Sequence, residues 1–468
     1  MLRRVSSTLL HEAADLASRY LEHLPDRSVA PHPDAVDHLP ALDGDLDAQP
    51  MDASAVLRLL HAVGSPATVA SAGPRYFGFV IGGSLPAALA ANWLAGAWDQ
   101  NAGLVAASPV ASALEEIALR WVLDVLALPA TAGGAFVTGA TMANFTALAA
   151  ARHAVLAGRG WDVEADGLVG APPITVVVSA EAHATLLKAL GLLGLGRNRV
   201  TSVPTDAQGR MRADALPGLA AGDPTIVCVQ AGNVNSGAFD PVRDICDRAH
   251  AAGAWVHVDG AFGLWAATAP ARAHLVDGVA DADSWATDAH KWLNVPYDSG
   301  LALVRDPTPL RAAMAQSAAY YIAGEQREPM LYTPETSRRA RGVEVWAALR
   351  SLGRNGLADL IERNCRQAAR FADGLRQAGY EVLNDVVLNQ VLVSFGRDAR
   401  TREVIQAVQR DGTCWCGGTR WHGRDAMRIS VSNWSTTDAD VDASLAAILR
   451  VASATADSFA ERSTLSDQ

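Results

Sequence analysis

Lysine is almost missing from this chain. Of its 39 basic residues only Lys188 and Lys291 are lysines, and the rest are arginines. Arginine serves any role that asks for a permanent cation, but it keeps its proton; a lysine amine can lose it and become a nucleophile or a Schiff base. Lys188, in "ATLLKALGLLG", reads as a leftover surface residue. Lys291, in "DSWATDAHKWLNVPYDSG", reads equally as leftover or as functional on residue type alone. Cysteine is scarce as well. The five cysteines, at 228, 246, 365, 414 and 416, form an odd set without disulfide-framework spacing, which points to a reducing, cytoplasmic compartment. The "CWC" at 414–416 has no second Cys/His pair at zinc-site spacing, so no metal is expected. Clustered positive charge is lacking too: the net charge is −11 and the densest basic stretch is the short "SRRAR", Ser337 to Arg341, so no nucleic-acid partner is expected. The longest apolar stretch, Leu85 to Ala107, is interrupted by Asn92, Asp99, Gln100 and Asn101, so no membrane span is expected.

What is present is an ordinary globular composition, half hydrophobic and 19% charged over 468 residues, with enough chain for two or three lobes. Near the start, Leu9, Leu10, Ala13, Leu16, Ala17, Tyr20 and Leu21 fall on one face of a helix. Glu12 and Asp15 within that stretch argue against a secretory signal. The pattern divides the chain into an N-terminal helical segment (1–84), a large domain (85–345) and a small C-terminal α+β domain (346–468). In the large domain helical runs alternate with short β-branched runs, "ITVVVS", "TIVCVQ", "AWVHVDGAF" and "GLALVRD". That alternation predicts an α/β fold with a mostly parallel sheet covered on both faces, whose chemistry gathers at the C-terminal ends of the strands.

Four loops follow these strands. "FVTGATMANF" is strand, small-residue turn and helix, in which Gly139, Ala140 and Thr141 would offer an anion site at a helix N-terminus. "SAEAH" places His183 just past a strand, where a capping or core role is the commoner reading. "VHVDGAFG" ends a strand with Asp259, an acid that packing does not require, beside the small Ala261. Lys291 follows 32 residues later. A phosphate cup, a stacking imidazole, an acid and an amine together match pyridoxal 5′-phosphate part by part.

At this point the chain resembles the group II pyridoxal-phosphate-dependent amino-acid decarboxylases, the family of aromatic-L-amino-acid, histidine, tyrosine and glutamate decarboxylases. The likeness runs in order through "GPRYFGFVIGG", "TGATMAN", "SAEAH", "GNVNSGAFDP", "HVDGAFG", "SWATDAHKWL", "SRRARGVEVWAALRSLGRNGL" and "MRISVSNWSTT". It implies the aspartate-aminotransferase-like fold (fold type I), with a seven-stranded-type sheet. It also implies a homodimer in which the N-terminal helices embrace the partner, and α-decarboxylation of an L-amino acid. Residue by residue, the resemblance implies Lys291 as the Schiff-base lysine, Asp259 as the partner of the pyridine nitrogen and His183 as the ring-stacking histidine. It further implies Gly139, Ala140 and Thr141 at the phosphate turn, His290 before the lysine, Ala261 under the ring, and Asn233 and Asn235 in a loop approaching the cofactor.

The departures are informative. Asp288 stands where the family often has asparagine, and Met142 where it usually has glutamate. Family decarboxylases carry a loop tyrosine that protonates the substrate carbon; Tyr332 is the candidate, with Tyr320 and Tyr321 as competitors and a packing role for Tyr332 as the alternative. Tyr76, Phe79 and Trp415, with Phe77 and Trp421, read either as lining a pocket for an aromatic substrate or as interface packing. An aldehyde synthase or an aminotransferase on the same fold remains the rival activity, the latter with Arg428 gripping a carboxylate.

Overall fold

The structure is a computed structural model and describes residues 7–46, 48–316 and 326–466, with side chains through Thr455. The chain divides into two compact units: Gly82–Ala369 with Asn384–Val391, and Met1–Ile81 with Arg370–Leu383 and Leu392–Gln468.

The first strand, β1 (Tyr76–Phe77), belongs to the second of these units; the next seven make one sheet in the larger unit. They are β2 (Gly133–Val137), β3 (Thr175–Ser179), β4 (Thr201–Val203), β5 (Thr225–Gln230), β6 (Trp255–Asp259), β7 (Ser284–Asp288) and β8 (Gly300–Val304), in the order β2-β8-β7-β6-β5-β3-β4. The ladders β3/β4, β3/β5, β5/β6 and β6/β7 are parallel, and only β8 runs against its neighbours. All four expected strands are there. β7 was not among them: "SWATD" holds little β-branched surface, yet it lies between β6 and β8 with every residue buried, so sheet context decides its conformation.

Helix Ala140–Ala157 packs on the middle of this sheet. Ala143, Ala147, Ala150 and Ala151 are fully buried along it, and these small side chains let the helix lie close over Val137, Ala286 and Ala302. Opposite in size are Trp265, Trp285 and Trp292, all fully buried. Each indole N–H has an acceptor: Asp288 O at 3.0 Å, Val279 O at 2.8 Å and Asn364 Oδ1 at 3.0 Å, respectively. Buried tryptophans with satisfied N–H groups are worth about 3–5 kcal/mol each against alanine, and these surround the strand and loop that carry Lys291.

The smaller unit contains helices Ser7–His23, Ala53–Ala67, Asp398–Asp411 and Asp438–Ser466 and a five-stranded sheet. Its strands β9 (Glu381–Val382), β10 (Gln390–Ser394), β11 (Trp415–Trp421) and β12 (Arg424–Ser430) join β1 in the order β1-β11-β12-β10-β9. β1 pairs in parallel with β11, Tyr76 opposite Trp415, so the start of the chain completes a sheet built from its end. Among the described residues no helix is long and apolar enough to cross a membrane.

Candidate active site

β3, β5, β6 and β7 run parallel, and β2 points the same way because it and β7 both oppose β8. Their C-terminal ends therefore share one edge of the sheet. Along that edge lie the turn Gly139–Thr141 after β2, His183 after β3, Asn233 and Asn235 after β5, Asp259 and Ala261 at the end of β6, and Asp288, His290 and Lys291 at the end of β7.

Asp259 is 6% exposed. Its Oδ1 accepts the Ala261 amide N–H at 3.3 Å, and its Oδ2 accepts from Asn144 Nδ2 at 3.3 Å. Burial pushes this carboxyl above the usual carboxylate range; the charges of His183 and Lys291, and then the two hydrogen bonds, work against that rise. Imidazole and amine are thus both within electrostatic reach of the acid.

Asp288 is the other acid of the edge, 1% exposed. Its Oδ1 accepts the first amide of helix Ala140–Ala157, Ala140 N–H, at 2.5 Å, and its Oδ2 ion-pairs with Lys291 Nζ at 3.0 Å. His290 Nε2 stands 3.6 Å from Asp288 Oδ1, and burial pulls this imidazole below its usual range while Asp288 opposes the shift. A Cβ at 139 would come within 2.9 Å of His290 Cε1, so any larger residue there would have to displace that ring. Met142, in the place of the family's glutamate, packs against Val137, Ala143 and Ala147 instead of joining a polar network.

The backbone of Lys291 is clamped from a distant part of the chain. A Cβ on Gly82 would lie 2.0 Å from the Lys291 carbonyl oxygen, so only glycine fits there. Gly83 N–H donates to Asn294 Oδ1 at 2.7 Å and Leu85 N–H to Asn294 O at 2.8 Å. Asn294 itself is left-handed (φ 56°), a conformation asparagine tolerates better than most residues.

Some expected site residues have evident structural work. His183 caps helix Ala184–Leu192: its Nδ1 accepts Thr185 N–H at 3.3 Å and lies 2.7 Å from Thr185 Oγ1, which leaves Nε2 to carry the proton of the neutral ring. Asn233 Oδ1 accepts the amides of Asn235 (2.8 Å) and Ser236 (3.2 Å), a side-chain turn that shapes the loop beside Asp259. Tyr332 is not brought to Lys291 within the chain. Its ring packs on Ala150, Val304 and Leu310 with the Arg327 guanidinium 4.5 Å over it. Val304 pairs with Ser284 whereas Gly300 pairs with Asp288, so Tyr332 sits by the opposite edge of the sheet, about 13 Å along the strand. Tyr320 and Tyr321 lie outside the described residues.

In the smaller unit Tyr76 stacks on Trp415 at 5.0 Å, and Phe79 lies 5.3 Å from the same indole. Tyr76 belongs to a packed cluster with Leu24, Val29 and Ala70, while Phe79 stays 58% exposed. Phe79 and Val80 are both left-handed (φ 52° and 59°), strain that this turn must absorb. Arg428, in β12, is 9% exposed and lies opposite Gly417. Sequence reasoning missed Tyr297, whose ring stacks on His290 at 4.3 Å and is 55% exposed, and it missed Asn144, Gly82 and Asn294. A signal for Asn144 existed: it lies five residues after Gly139, on the first turns of the helix that opens at the anion site.

The pyridoxal-dependent decarboxylase conserved domain matches residues 37–396, and the chain belongs to that family. It is a pyridoxal 5′-phosphate-dependent carboxy-lyase acting on an amino acid, with the fold type I architecture. Tryptophan decarboxylase 1 of Oryza sativa subsp. japonica is 29% identical over 470 residues, covering 91% of this chain and 89% of that protein. L-2,4-Diaminobutyrate decarboxylase of Rhizobium meliloti (strain 1021) is 30% identical over 371 residues, covering 75% and 72%. The crystal structure of Oryza sativa TDC with PLP and tryptamine superposes with a TM-score of 0.89 at 25% identity, covering 97% of this chain and 99% of that one. The residues present fit the cofactor: a buried acid, Asp259, whose ionised form burial disfavours and a pyridinium would stabilise, an amine, Lys291, within its electrostatic reach, and a helix N-terminus with a glycine turn.

Proposed function

We propose that this enzyme releases carbon dioxide from an aromatic L-amino acid, and that the residues gathered at the strand ends hold its cofactor. The observation that carries the reading is the convergence of Asp259, His183 and Lys291 on one sheet edge. Pyridoxal 5′-phosphate supplies, when bound, a ring that accepts the electron pair left by the departing carboxylate. Lys291 would hold its aldehyde carbon, and Asp259 would meet its ring nitrogen and keep a proton there. His183 would lie against the ring, with Ala261, Asn233 and Asn235 closing the walls. The turn Gly139, Ala140 and Thr141, with His290 and Asp288, would lie at the phosphate, the Thr141 amide serving it while Ala140 N–H stays on Asp288. A proton for the substrate carbon can come from His183 Nε2 or from a loop tyrosine.

Likeness to a tryptophan decarboxylase across most of both chains supports an aromatic substrate, and Tyr76, Phe79 and Trp415 are offered as its apolar contacts. A homodimer formed through the 1–84 segment is supported by the helix Ser7–His23, which buries none of its residues in this chain. Leu10, Val56 and Leu60 of that segment are 58%, 49% and 57% exposed, respectively. A cytoplasmic site agrees with the five buried free cysteines.

The test is a panel of twenty amino acids assayed together for carbon dioxide, ammonia and hydrogen peroxide. Carbon dioxide and amine from tryptophan, tyrosine or phenylalanine are expected. A preference for diaminobutyrate or glutamate would sink the substrate reading; ammonia and peroxide would make the enzyme an aldehyde synthase. Lys291→Arg is expected to lower turnover at least about a thousandfold and to remove the visible absorption of the holoenzyme. Light scattering should give twice the chain mass, and Leu10→Glu with Leu60→Glu should halve it.

A further inference from the structure

Behind Asp259 runs a buried polar chain that the cofactor chemistry above does not use. Trp255 Nε1 lies 2.9 Å from Ser284 Oγ, Ser284 Oγ 2.8 Å from His257 Nδ1, His257 Nε2 2.8 Å from Asn144 Oδ1, and Asn144 Nδ2 3.3 Å from Asp259 Oδ2. Asn144, His257 and Ser284 are fully buried. Three separate elements supply it. His257 and Asp259 share a face of β6 by strand alternation, Ser284 sits directly across from His257 in β7, and Asn144 descends from helix Ala140–Ala157.

The acid end sets the direction of the bonds. An ionised carboxylate only accepts, so Asn144 turns Nδ2 to Asp259 and Oδ1 to His257. The neutral imidazole then carries its proton on Nε2 and donates to Asn144 Oδ1, which leaves Nδ1 to accept the Ser284 O–H, while Ser284 Oγ accepts the Trp255 indole N–H. Burial pulls His257 down to about 3, so the ring stays neutral and keeps this tautomer.

We infer that Trp255, Ser284, His257 and Asn144 form a positioning relay that delivers a fixed N–H donor to Asp259 Oδ2. This holds the carboxylate ionised and aimed at the cofactor's ring nitrogen. The inference rests on the role proposed for Asp259. Burial favours the neutral acid, and the relay's hydrogen bond adds to the larger opposing effects of the His183 and Lys291 charges; an acid left neutral carries no negative charge to stabilise a protonated ring nitrogen. With Ala261 N–H on Oδ1 and Asn144 on Oδ2, the carboxylate plane is fixed from two sides.

The experiment uses full-length protein stripped of cofactor and titrated with pyridoxal 5′-phosphate, following quenching of tryptophan fluorescence for Kd. The reconstituted enzyme is then titrated with pH to find the midpoint of its visible absorption change. Asn144→Ala and His257→Leu are expected to weaken binding roughly ten- to a hundredfold, as loss of a hydrogen bond to a buried charge does, and to move the midpoint. His257→Gln places an amide N–H near the Nε2 position and is expected to recover most of the affinity. Ser284→Ala, a smaller change, keeps the test open should the larger variants fold poorly, and it is expected to move the midpoint in the same direction. Wild-type Kd and midpoint in Asn144→Ala or Ser284→Ala would overturn the relay, as would a loss in His257→Gln equal to that in His257→Leu. Asp259→Asn separates the two readings: unchanged binding there would overturn the role of Asp259 itself, whatever the relay variants do.

Discussion

Asp259 and Asp288 end neighbouring parallel strands, and both are almost wholly buried, yet they are provided for in different ways. Around Asp259 the nearest partners are neutral donors, an amide N–H and an asparagine, while the cations act from farther off. Asp288 already holds a lysine ammonium at 3.0 Å and the first amide of a helix. A buried acid's neighbours tell whether its counter-charge is built in or is to arrive with a ligand. By that criterion Asp259 is the acid suited to the external cation proposed above, and Asp288 is balanced within the chain for as long as Lys291 keeps its proton.

The sharpest way to break this comparison is to neutralise each acid in turn. Asp259→Asn removes the only negative charge proposed to face the ring nitrogen; cofactor binding measured by fluorescence should weaken about a hundredfold or more. Asp288→Asn keeps an acceptor for Ala140 N–H while removing a negative charge from the proposed phosphate end, so the same measurement should show binding roughly fivefold tighter. Two isosteric changes thus give opposite signs, and equal weakening by both would end the distinction. A smaller effect separates them by pH. His257 lies behind Asp259 only, and its folded pKa of about 3 is below its usual 6.5. The unfolded chain therefore binds the extra proton, and the stability His257 contributes is complete above about pH 6.5 and is lost as the pH falls toward 3. Thermal unfolding should show a slope of up to about 1.4 kcal/mol per pH unit in that window, flattened in His257→Gln. Smallest of all, Tyr332→Phe touches neither acid: its ring packing is kept, and turnover should stay within about twofold.

The α/β plan and most of the site edge were legible because they rest on local signals. Alternation of β-branched runs with helices gives the sheet, and strand ends give the positions of His183, Asp259 and Lys291. The relay was not legible, although period-two alternation already puts His257 on the face of Asp259. Its meaning depends on Ser284 lying opposite in β7, a register between segments with a crossover between them, and β7 itself carries weak strand propensity. Asn144 reads as one more residue in an alanine-rich helix until that helix is laid on the sheet. Of the aromatic set Tyr76 and Phe79 meet Trp415, whereas Phe77 packs on Phe371 and Trp421 on His422, and patterning alone does not tell a packed cluster from an open one. Tyr332 was chosen by its place in a loop, and the packing of that loop on Val304 is a long-range fact.

Gly82 touches the carbonyl of Lys291 from more than two hundred residues upstream, and Gly83 and Leu85 fasten the asparagine three places beyond that lysine. The amine proposed to hold the cofactor is therefore seated by a strap from far along the chain. A single protease nick or a bulky graft near position 82 should blunt the chemistry at 291 while leaving every side chain of the strand edge intact.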